Sequence, residues 1–220
     1  MSAITTLPAP ATRRRRKEAR PQELLDAALE LFVEKGFAAT RAEEVALRAG
    51  VSKGTLYLYY PSKEELFKAV ITHHVSARIA DSAQRVDAYR GRMGPLLQDM
   101  LVAWWQQVYA SPASGTFKII ISEVRNFPEI AEFYVREVIE PGHALIGRIV
   151  QRGIDSGEFR EVDVESVVHS LVLPMVMVCA NKHALGACGA MHVDGEKFIG
   201  DHVALVVRGI TAEHGSKART

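Results

Sequence analysis

One short stretch, "GVSKGTLYLYYPSKEELF" (residues 50–67), concentrates side chains that suit contact with a polyanion. Lys53 and Lys63 supply cations, and Gly54, which has no side chain, lets a phosphate approach the backbone. A hydroxyl group such as that of Thr55 donates to phosphate oxygens, and the threonine methyl can contact the methyl of thymine. These residue types indicate a DNA-facing surface rather than a buried hairpin or an active-site loop.

Two predicted short helices, residues 41–49 and 53–59, position these side chains. The first follows a predicted capping box, in which Thr40 and Glu43 exchange hydrogen bonds, and Ser52 caps the second. Only "GVS" separates the two helices, which is typical of a helix-turn-helix. In that motif the second helix lies in the major groove, with its N-terminal residues toward the base edges.

Spacing assigns the two faces of the second helix. Leu56 and Tyr60 lie four residues apart and therefore share a face, which we assign to the core. Thr55, Tyr57 and Tyr59 then lie off the core, where they can meet DNA. The alternative for Tyr57 is a plain packing role.

The remainder of the chain also has helical periodicity, and strand signals are weak. The run "FKIIIS" (117–122) is strand-like, but nothing near it offers a partner strand. We therefore predict an all-α protein. The predicted helices outside the helix-turn-helix span 21–35, 63–89, 93–111, 115–125, 128–155 (bent near 141–142), 163–186 and 195–213.

Basic residues cluster at the N-terminus of a chain whose net charge is only +1. Residues 1–20 lack an apolar pattern and include two prolines, so we predict a disordered basic arm. Such an arm either binds a polyanion without sequence preference or remains a solvated tail. Its main cationic run consists of Arg13, Arg14, Arg15, Arg16 and Lys17.

Several other classes of protein are disfavoured. The two cysteines, Cys179 and Cys188, form no framework, which indicates a reducing, cytoplasmic location, with a single disulfide as the alternative. The longest apolar run, 170–180, is interrupted by Pro174, so we predict no membrane span. We predict no metal, no cofactor and no catalytic residue, because there is no HExxH pattern, nucleophile elbow or phosphate loop.

The stretch "GFAATRAEEVALRAGVSKGTLYLYYPSKEELF" (36–67) resembles the DNA-binding segment of the tetracycline-repressor (TetR) family of bacterial transcription regulators. The resemblance implies a three-helix DNA-binding domain over 21–66, a helical ligand-binding and dimerisation domain over 67–213, and a flexible tail over 214–220. Leu58 departs from it, because it is an apolar residue at a position that is expected to be exposed. It either contacts a thymine methyl or is a packing residue that shifts the assignment of the helix faces.

The resemblance also implies roles for particular residues. The expected partner is double-stranded DNA with a palindromic operator, and the last two long helices would pair with those of a second copy. The expected DNA contacts are Arg13, Arg14, Arg15, Arg16, Lys17, Thr40, Arg41, Ser52, Lys53, Gly54, Thr55, Tyr57, Tyr59 and Lys63. Candidate contacts to an unidentified small molecule are Trp104, Trp105, Phe117, Arg125, Phe133, Tyr134, Met175 and Asn181.

The expected function is that of a repressor that a small apolar or amphipathic molecule releases from its operator. Two alternatives stay open at this point. One is an activator, or a DNA-binding regulator of the same fold that needs no ligand. The other is an enzyme that carries a vestigial helix-turn-helix.

Overall fold

The computed structural model describes residues 12–190 and 192–212, with side chains from residue 21 onward. Within these residues the protein is all-α, as predicted, and an isolated bridge between Phe159 and Thr211 is the sole β-type pairing. The run 117–122 is helical rather than extended. The α-helices are α1 Thr12–Lys35, α2 Ala42–Arg48, α3 Lys53–Tyr59, α4 Lys63–Ile71, α5 Ala77–Ala88, α6 Met93–Tyr109, α7 Gly115–Glu123, α8 Pro128–Tyr134, α9 Glu140–Asp155, α10 Val164–Lys182 and α11 Gly195–Ile210.

Helix α1 begins earlier than the sequence analysis predicts. Its backbone is helical from Thr12, so the prediction of disorder is wrong for 12–20, and Pro21 lies inside the helix. The arginine, lysine, glutamate and alanine residues ahead of Pro21 are good helix formers, which explains the extension. The predicted arm residues 1–11 and the predicted tail, 214–220, lie outside the described residues.

An aromatic cluster joins α1, the α1–α2 turn and α4. The rings of Phe32, Phe37 and Phe67 lie 5.1–5.3 Å apart between centroids, and all three side chains are at most 1% exposed. Leu56 of α3 is fully buried in the same core. Because a seven-residue helix is not stable alone, this packing holds α3 in place.

N-terminal caps define where α2 and α3, the two helices of the helix-turn-helix, begin; these are called the reading helices below. Ser52 accepts from the Thr55 N–H at 3.1 Å, as predicted for the start of α3. The predicted Thr40–Glu43 box is wrong by one residue, because α2 is capped at Arg41, whose N–H donates to the Glu44 carboxylate at 3.1 Å.

Two π-helical turns interrupt segments that were predicted as continuous helices. Thr72–Ser76 separates α4 from α5, and Val135–Ile139 separates α8 from α9. The second interruption lies just before the bend predicted at Pro141, which the first turn of α9 accommodates. The two π-turns pack against each other, and such turns are frequent at functional sites.

Helix α10 runs through Pro174, as the predicted helix over 163–186 does, so this proline does not break the helix. Among the described residues, the stretch Val164–Cys188 is therefore long and apolar enough, by length and composition alone, to cross a bilayer. The core helix of a soluble protein passes the same test, although only 33% of this stretch's most apolar window is buried within the chain. Leu173 and Met177 stand out on its surface, at 57% and 58% exposure.

Candidate DNA interface and internal cavity

Helix α3 presents one face to the core and the other to solvent. Leu56 is fully buried, whereas Leu58 is 81% and Tyr57 39% exposed. Lys53 and Gly54, at the start of the helix, are also exposed. Leu58 is thus an outward residue and not a packing residue, which keeps the face assignment intact.

Lys53 is held in place on this face by two contacts. Its ammonium forms an ion pair with Glu43 of α2 and lies 5.7 Å from the centroid of the Tyr57 ring. The hydrogen bond with Lys53 lowers the pKa of Glu43, and the same bond raises the pKa of Lys53. Both side chains are solvated, so a DNA phosphate can exchange with the carboxylate at little cost.

At the end of α3, Tyr59 lies less far outward than predicted, and Tyr60, which was assigned to the core face, is only partly buried. Tyr59 and Tyr60 both pack, half-buried, against the core, and their ring centroids are 6.5 Å apart. Burial raises the pKa of Tyr60. Tyr59 is thus not fully off the core side, and the solvent-facing part of its ring is what remains for DNA.

The structure turns Thr40 and Lys63 inward. Thr40 is 2% exposed, and its hydroxyl donates to the carbonyls of Leu31 at 3.1 Å and Gly36 at 2.7 Å. A phosphate contact from the Thr40 hydroxyl does not fit this geometry. The Lys63 ammonium donates to three backbone carbonyls of residues 37–40, at 2.9–3.2 Å, which a phosphate would have to replace.

The remaining predicted DNA contacts fall into two groups. Arg41 and Ser52 are exposed at the N-termini of α2 and α3. Arg13–Lys17 lie on the first turns of α1, but their side chains are outside the described part of the structure.

Ion pairs hold α2 against α1, since the Arg48 guanidinium contacts the carboxylates of Glu30 at 3.1 Å and Glu34 at 3.0 Å.

An apolar cavity of about 300 Å³ lies within the C-terminal helices. This volume is at the lower end of the range for small-molecule sites. Both π-turns contribute to its wall, through Val75 and through Val138 with Ile139. The other lining residues are Ile79, Ser82, Met100, Leu101, Trp104, Phe117, Ile120, Ile121, Tyr134, Gly142, His143, Leu145, Ile146, His169, Val172, Leu173, Met175 and Val176.

Few polar side chains face this cavity. His143 and His169 lie edge to face, with ring centroids 5.3 Å apart, while Ser82 and Tyr134 line other parts of the wall. Burial, and secondarily His169, lowers the pKa of His143. Burial likewise raises the pKa of Tyr134 far above its ordinary value. The cavity therefore offers neutral hydrogen-bonding groups in an aliphatic and aromatic wall.

Half of the predicted ligand contacts line the cavity. Trp104, Phe117, Tyr134 and Met175 do so. The cavity wall does not include the other four predicted contacts. The Trp105 ring stacks on that of Tyr109, with 4.5 Å between centroids. The Phe133 ring lies beside the cations of Lys68 and Arg136. Arg125 is exposed in the short 3₁₀ turn after α7, and Asn181 lies near the end of α10.

Sequence reasoning missed the histidine pair and most of the aliphatic wall. His143 and His169 lie on different helices and 26 positions apart, so no local spacing connects them. The usable signal was a histidine on the apolar face of each helix. Within the described residues no group of three or more His, Cys, Asp or Glu side chains could hold a metal ion.

Comparison with known proteins places this geometry in a family. Residues 24–70 match the family model for bacterial regulatory proteins of the tetR family, and residues 93–184 match the tetracyclin repressor-like C-terminal domain. The HTH-type transcriptional regulator YfiR of Bacillus subtilis is 28% identical over 169 residues, which cover 76% of this chain and 80% of YfiR.

Two further proteins add detail. The HTH-type transcriptional activator FasR of Mycolicibacterium smegmatis is 43% identical over 68 residues, which cover 31% of each chain. The structure of the transcriptional regulator FadR from Bacillus subtilis in complex with stearoyl-CoA superposes with a TM-score of 0.68 at 19% identity, covering 86% of this chain and 98% of FadR. The outward face of α3, the helical body and the two matched family models together show that this chain belongs to the TetR family of DNA-binding transcriptional regulators.

Proposed function

We propose that the protein is a homodimeric, cytoplasmic repressor that a small amphipathic molecule releases from a palindromic operator. Residues 21–66 would form the DNA-binding unit and 67–213 the effector and dimerisation unit. The observation that carries this proposal is an α3 whose outer face, with Tyr57 and Leu58, is exposed to solvent, joined to a helical body with an apolar cavity.

The proposed base and phosphate contacts come from the solvent side of the reading helices. Thr55, Tyr57 and the exposed part of Tyr59 supply hydroxyls, and Lys53 supplies a cation. Leu58 adds an apolar group that suits a thymine methyl. Arg41, Ser52 and Gly54 lie at helix N-termini, where backbone N–H groups favour phosphate, and the run 13–17 would extend the contact along the duplex.

The proposed dimer uses the surface of α10 and α11. Leu173, Met177 and Leu205 are 57%, 58% and 72% exposed in the single chain. A second copy that covers these residues would form a four-helix bundle and remove the apolar surface from water. Two-fold symmetry of the protein would then match two-fold symmetry of the operator, with half-sites about 34–36 Å apart or a multiple of that distance.

The proposed effector has an apolar chain and a small polar group. The aliphatic wall suits the chain, and His143 with His169 suits a hydrogen-bonding head. Stearoyl-CoA is present in the Bacillus subtilis FadR structure, which shares the fold, so long-chain acyl compounds are the first probes to try.

Fluorescence anisotropy tests the DNA-binding part of the proposal. A labelled duplex from the region upstream of the protein's own gene should bind at least tenfold more tightly than a scrambled duplex at moderate salt. The double variant Thr55→Ala/Tyr57→Ala should lose this preference, while Gln84→Ala, an exposed change on α5, should not. Equal affinity for both duplexes would contradict specific readout.

Trp104 provides a reporter for the effector part. Because its ring lines the cavity, palmitate or stearoyl-CoA should change the tryptophan emission in a saturable way. The signal should be lost in Trp104→Phe, which retains the buried Trp105 as a matched control. The same concentrations should displace the labelled operator, and saturation of the cavity without displacement would exclude these compounds as inducers.

FasR, which matches 31% of the chain, is named as a transcriptional activator, so activation is the second candidate. Reporter output from the target promoter after gene deletion separates the two. It should rise for a repressor and fall for an activator.

A further inference from the structure

Helix α7 contacts both the cavity and the DNA-binding unit. Phe117, Ile120 and Ile121 line the cavity, and the helix ends at Glu123. A molecule in the cavity would contact this helix directly. A shift of α7 on binding would therefore displace Glu123 at its C-terminal end.

Glu123 binds the backbone of the turn between α1 and α2. Its Oε1 accepts from the N–H of Phe37 at 3.0 Å, and its Oε2 accepts from the N–H of Ala38 at 2.7 Å. Hydrogen bonds to a charged acceptor are about twice as strong as neutral ones. One carboxylate thus fixes two consecutive residues of this turn.

Gly36 leaves room for this carboxylate. Its φ of +87° is in the left-handed region, which favours glycine, and a Cβ atom at this position would lie 2.6 Å from the Glu123 Oε1. The turn conformation and the position of Glu123 therefore depend on each other.

Lys63 holds the opposite side of the same turn. Its ammonium donates to the carbonyls of Phe37, Ala38 and Thr40, so the turn lies between a cation of α4 and an anion of α7. The Phe37 ring also packs edge to face on Phe127, which follows α7, at 4.7 Å. Because α2 begins directly after this turn and α3 packs on α2, a displacement of the turn would change the orientation of α2 and α3.

We propose that Glu123 is the positioning residue that couples the cavity to the DNA-reading helices. Movement of α7 is transmitted through the two N–H bonds to the α1–α2 turn, and from there to α2 and α3. This inference rests on the proposed function, because it assumes that occupancy of the cavity controls DNA binding.

The matched variants are Glu123→Gln and Glu132→Gln. The carboxamide of Glu123→Gln keeps the shape, but it has one oxygen acceptor and presents N–H groups to the second turn amide. Glu132→Gln removes the same charge from an exposed position on α8. Val176→Phe, and independently Val172→Phe, fill the cavity from α10 and serve as stand-ins for an effector, so that the test needs no identified ligand.

Operator anisotropy on the full-length chain gives the main readout. In the wild-type and Glu132→Gln backgrounds, each cavity-filling change should weaken operator binding by about tenfold, within the usual range of coupling between sites. In the Glu123→Gln background the same change should weaken it by less than about threefold. A purely structural role for Glu123 would lower affinity without reducing the response to filling.

Amide hydrogen exchange supplies the second readout. Phe37 and Ala38 should exchange faster in Glu123→Gln, with the exchange of α9 unchanged, and circular dichroism with native mass spectrometry should verify folding and oligomeric state. A tenfold response to filling that persists in Glu123→Gln overturns the coupling role of Glu123 and leaves the regulator proposal standing. An absence of response in the wild-type chain overturns the effector control itself, and the coupling role with it.

Discussion

The two parts of the molecule are packed in opposite ways. Around α1–α4, three phenylalanine rings fill the space between the helices, and the α1–α2 turn is hydrogen-bonded from both sides. Around α5–α10, the helices border a cavity of about 300 Å³ that is partly open to solvent. A surface that reads DNA must keep its side chains in fixed positions, whereas an effector site must leave room that a ligand can occupy.

The difference also extends to the helices themselves. Helices α2, α3 and α4 are short and regular, with side-chain caps on α3 and α4. The cavity is bordered by two π-turns, at Thr72–Ser76 and Val135–Ile139, where the helical hydrogen-bond pattern changes. The less regular helices are therefore those that contact the proposed effector, which is where a conformational response is needed.

The largest expected effect is the difference in stability between a truncation in the aromatic cluster and one in the cavity wall. Phe32→Ala removes a fully buried ring from the aromatic cluster and should lower the free energy of unfolding by about 3–5 kcal/mol. Phe117→Ala should cost about 1–2 kcal/mol less, because one side of that ring already faces the cavity and makes fewer contacts. Urea denaturation followed by circular dichroism measures both, and equal losses would show that the cavity wall is as tightly packed as the cluster.

The same contrast explains what the sequence could predict. In the DNA-binding part, Ser52 and Gly50 mark the ends of short helices, and the predicted limits of α3, 53–59, are those observed. Leu56 and Leu58 differ by two positions and lie on opposite faces, as helical periodicity requires. Local chemistry thus sufficed for the limits of α3 and for the opposite faces of Leu56 and Leu58. It did not suffice for Thr40 and Lys63, whose side chains donate to backbone carbonyls that no sequence pattern identifies.

The cavity could not be predicted in this way. Periodicity indicates which face of a helix is apolar, but it does not show where the apolar faces of several helices fail to meet. Trp104 and Trp105 are adjacent and equally apolar, yet only Trp104 lines the cavity, because Trp105 stacks on Tyr109. The π-turns make the prediction of the cavity wall harder still. A π-turn holds more residues than an α-helical turn, so it rotates the apolar face of the helix that follows it relative to the helix before it.

Within the DNA-binding part, two glycine substitutions should separate an effect on stability from an effect on operator binding. Gly36→Ala should lower the free energy of unfolding by about 2 kcal/mol, because φ is +87° and the new methyl would meet the Glu123 carboxylate. Gly54→Ala should leave stability unchanged or raise it by up to about 1 kcal/mol, since a Cβ there would make only an ordinary contact, 3.8 Å from the Ser52 Oγ, and alanine favours helix. Thermal melting and operator anisotropy should therefore separate them. Gly36→Ala should lower stability, whereas Gly54→Ala should weaken operator binding without lowering stability.

The junction between the two parts should respond to pH through His74. This residue lies in the first π-turn, near His73 and Arg78, with its Nε2 3.4 Å from the Asp26 carboxylate of α1. Burial, with a smaller effect of His73, lowers the pKa of His74 to about 4. The unfolded chain therefore binds a proton that the folded chain resists, so the stability from this residue is complete above about pH 6.5 and is lost as the pH falls toward 4.

The size of this effect is moderate. One pKa unit corresponds to about 1.4 kcal/mol, and the ring is partly solvated, so we expect a loss of about 1–2 kcal/mol between pH 7 and pH 4.5. His74→Gln should remove this part of the pH dependence, although other buried histidines, such as His143 and His183, will leave a residual slope. Urea titrations of both proteins at several pH values measure the difference. Parallel curves would show that the junction is not sensitive to His74.

The smallest stability effect should come from the most exposed apolar residue of the reading helix. Leu58 is 81% exposed, so Leu58→Ala should change the free energy of unfolding by no more than about 0.5 kcal/mol. If Leu58 contacts a thymine methyl, the same change should weaken operator binding by up to about tenfold and should remove the preference for thymine at a single base-pair position. Anisotropy titrations against operator duplexes with each of the four base pairs at that position measure this preference. If the outer face of this seven-residue helix reads DNA and the inner face supports the fold, Leu56→Ala should show the reverse pattern. A large loss of stability in Leu58→Ala would mean that the outer face also supports the fold.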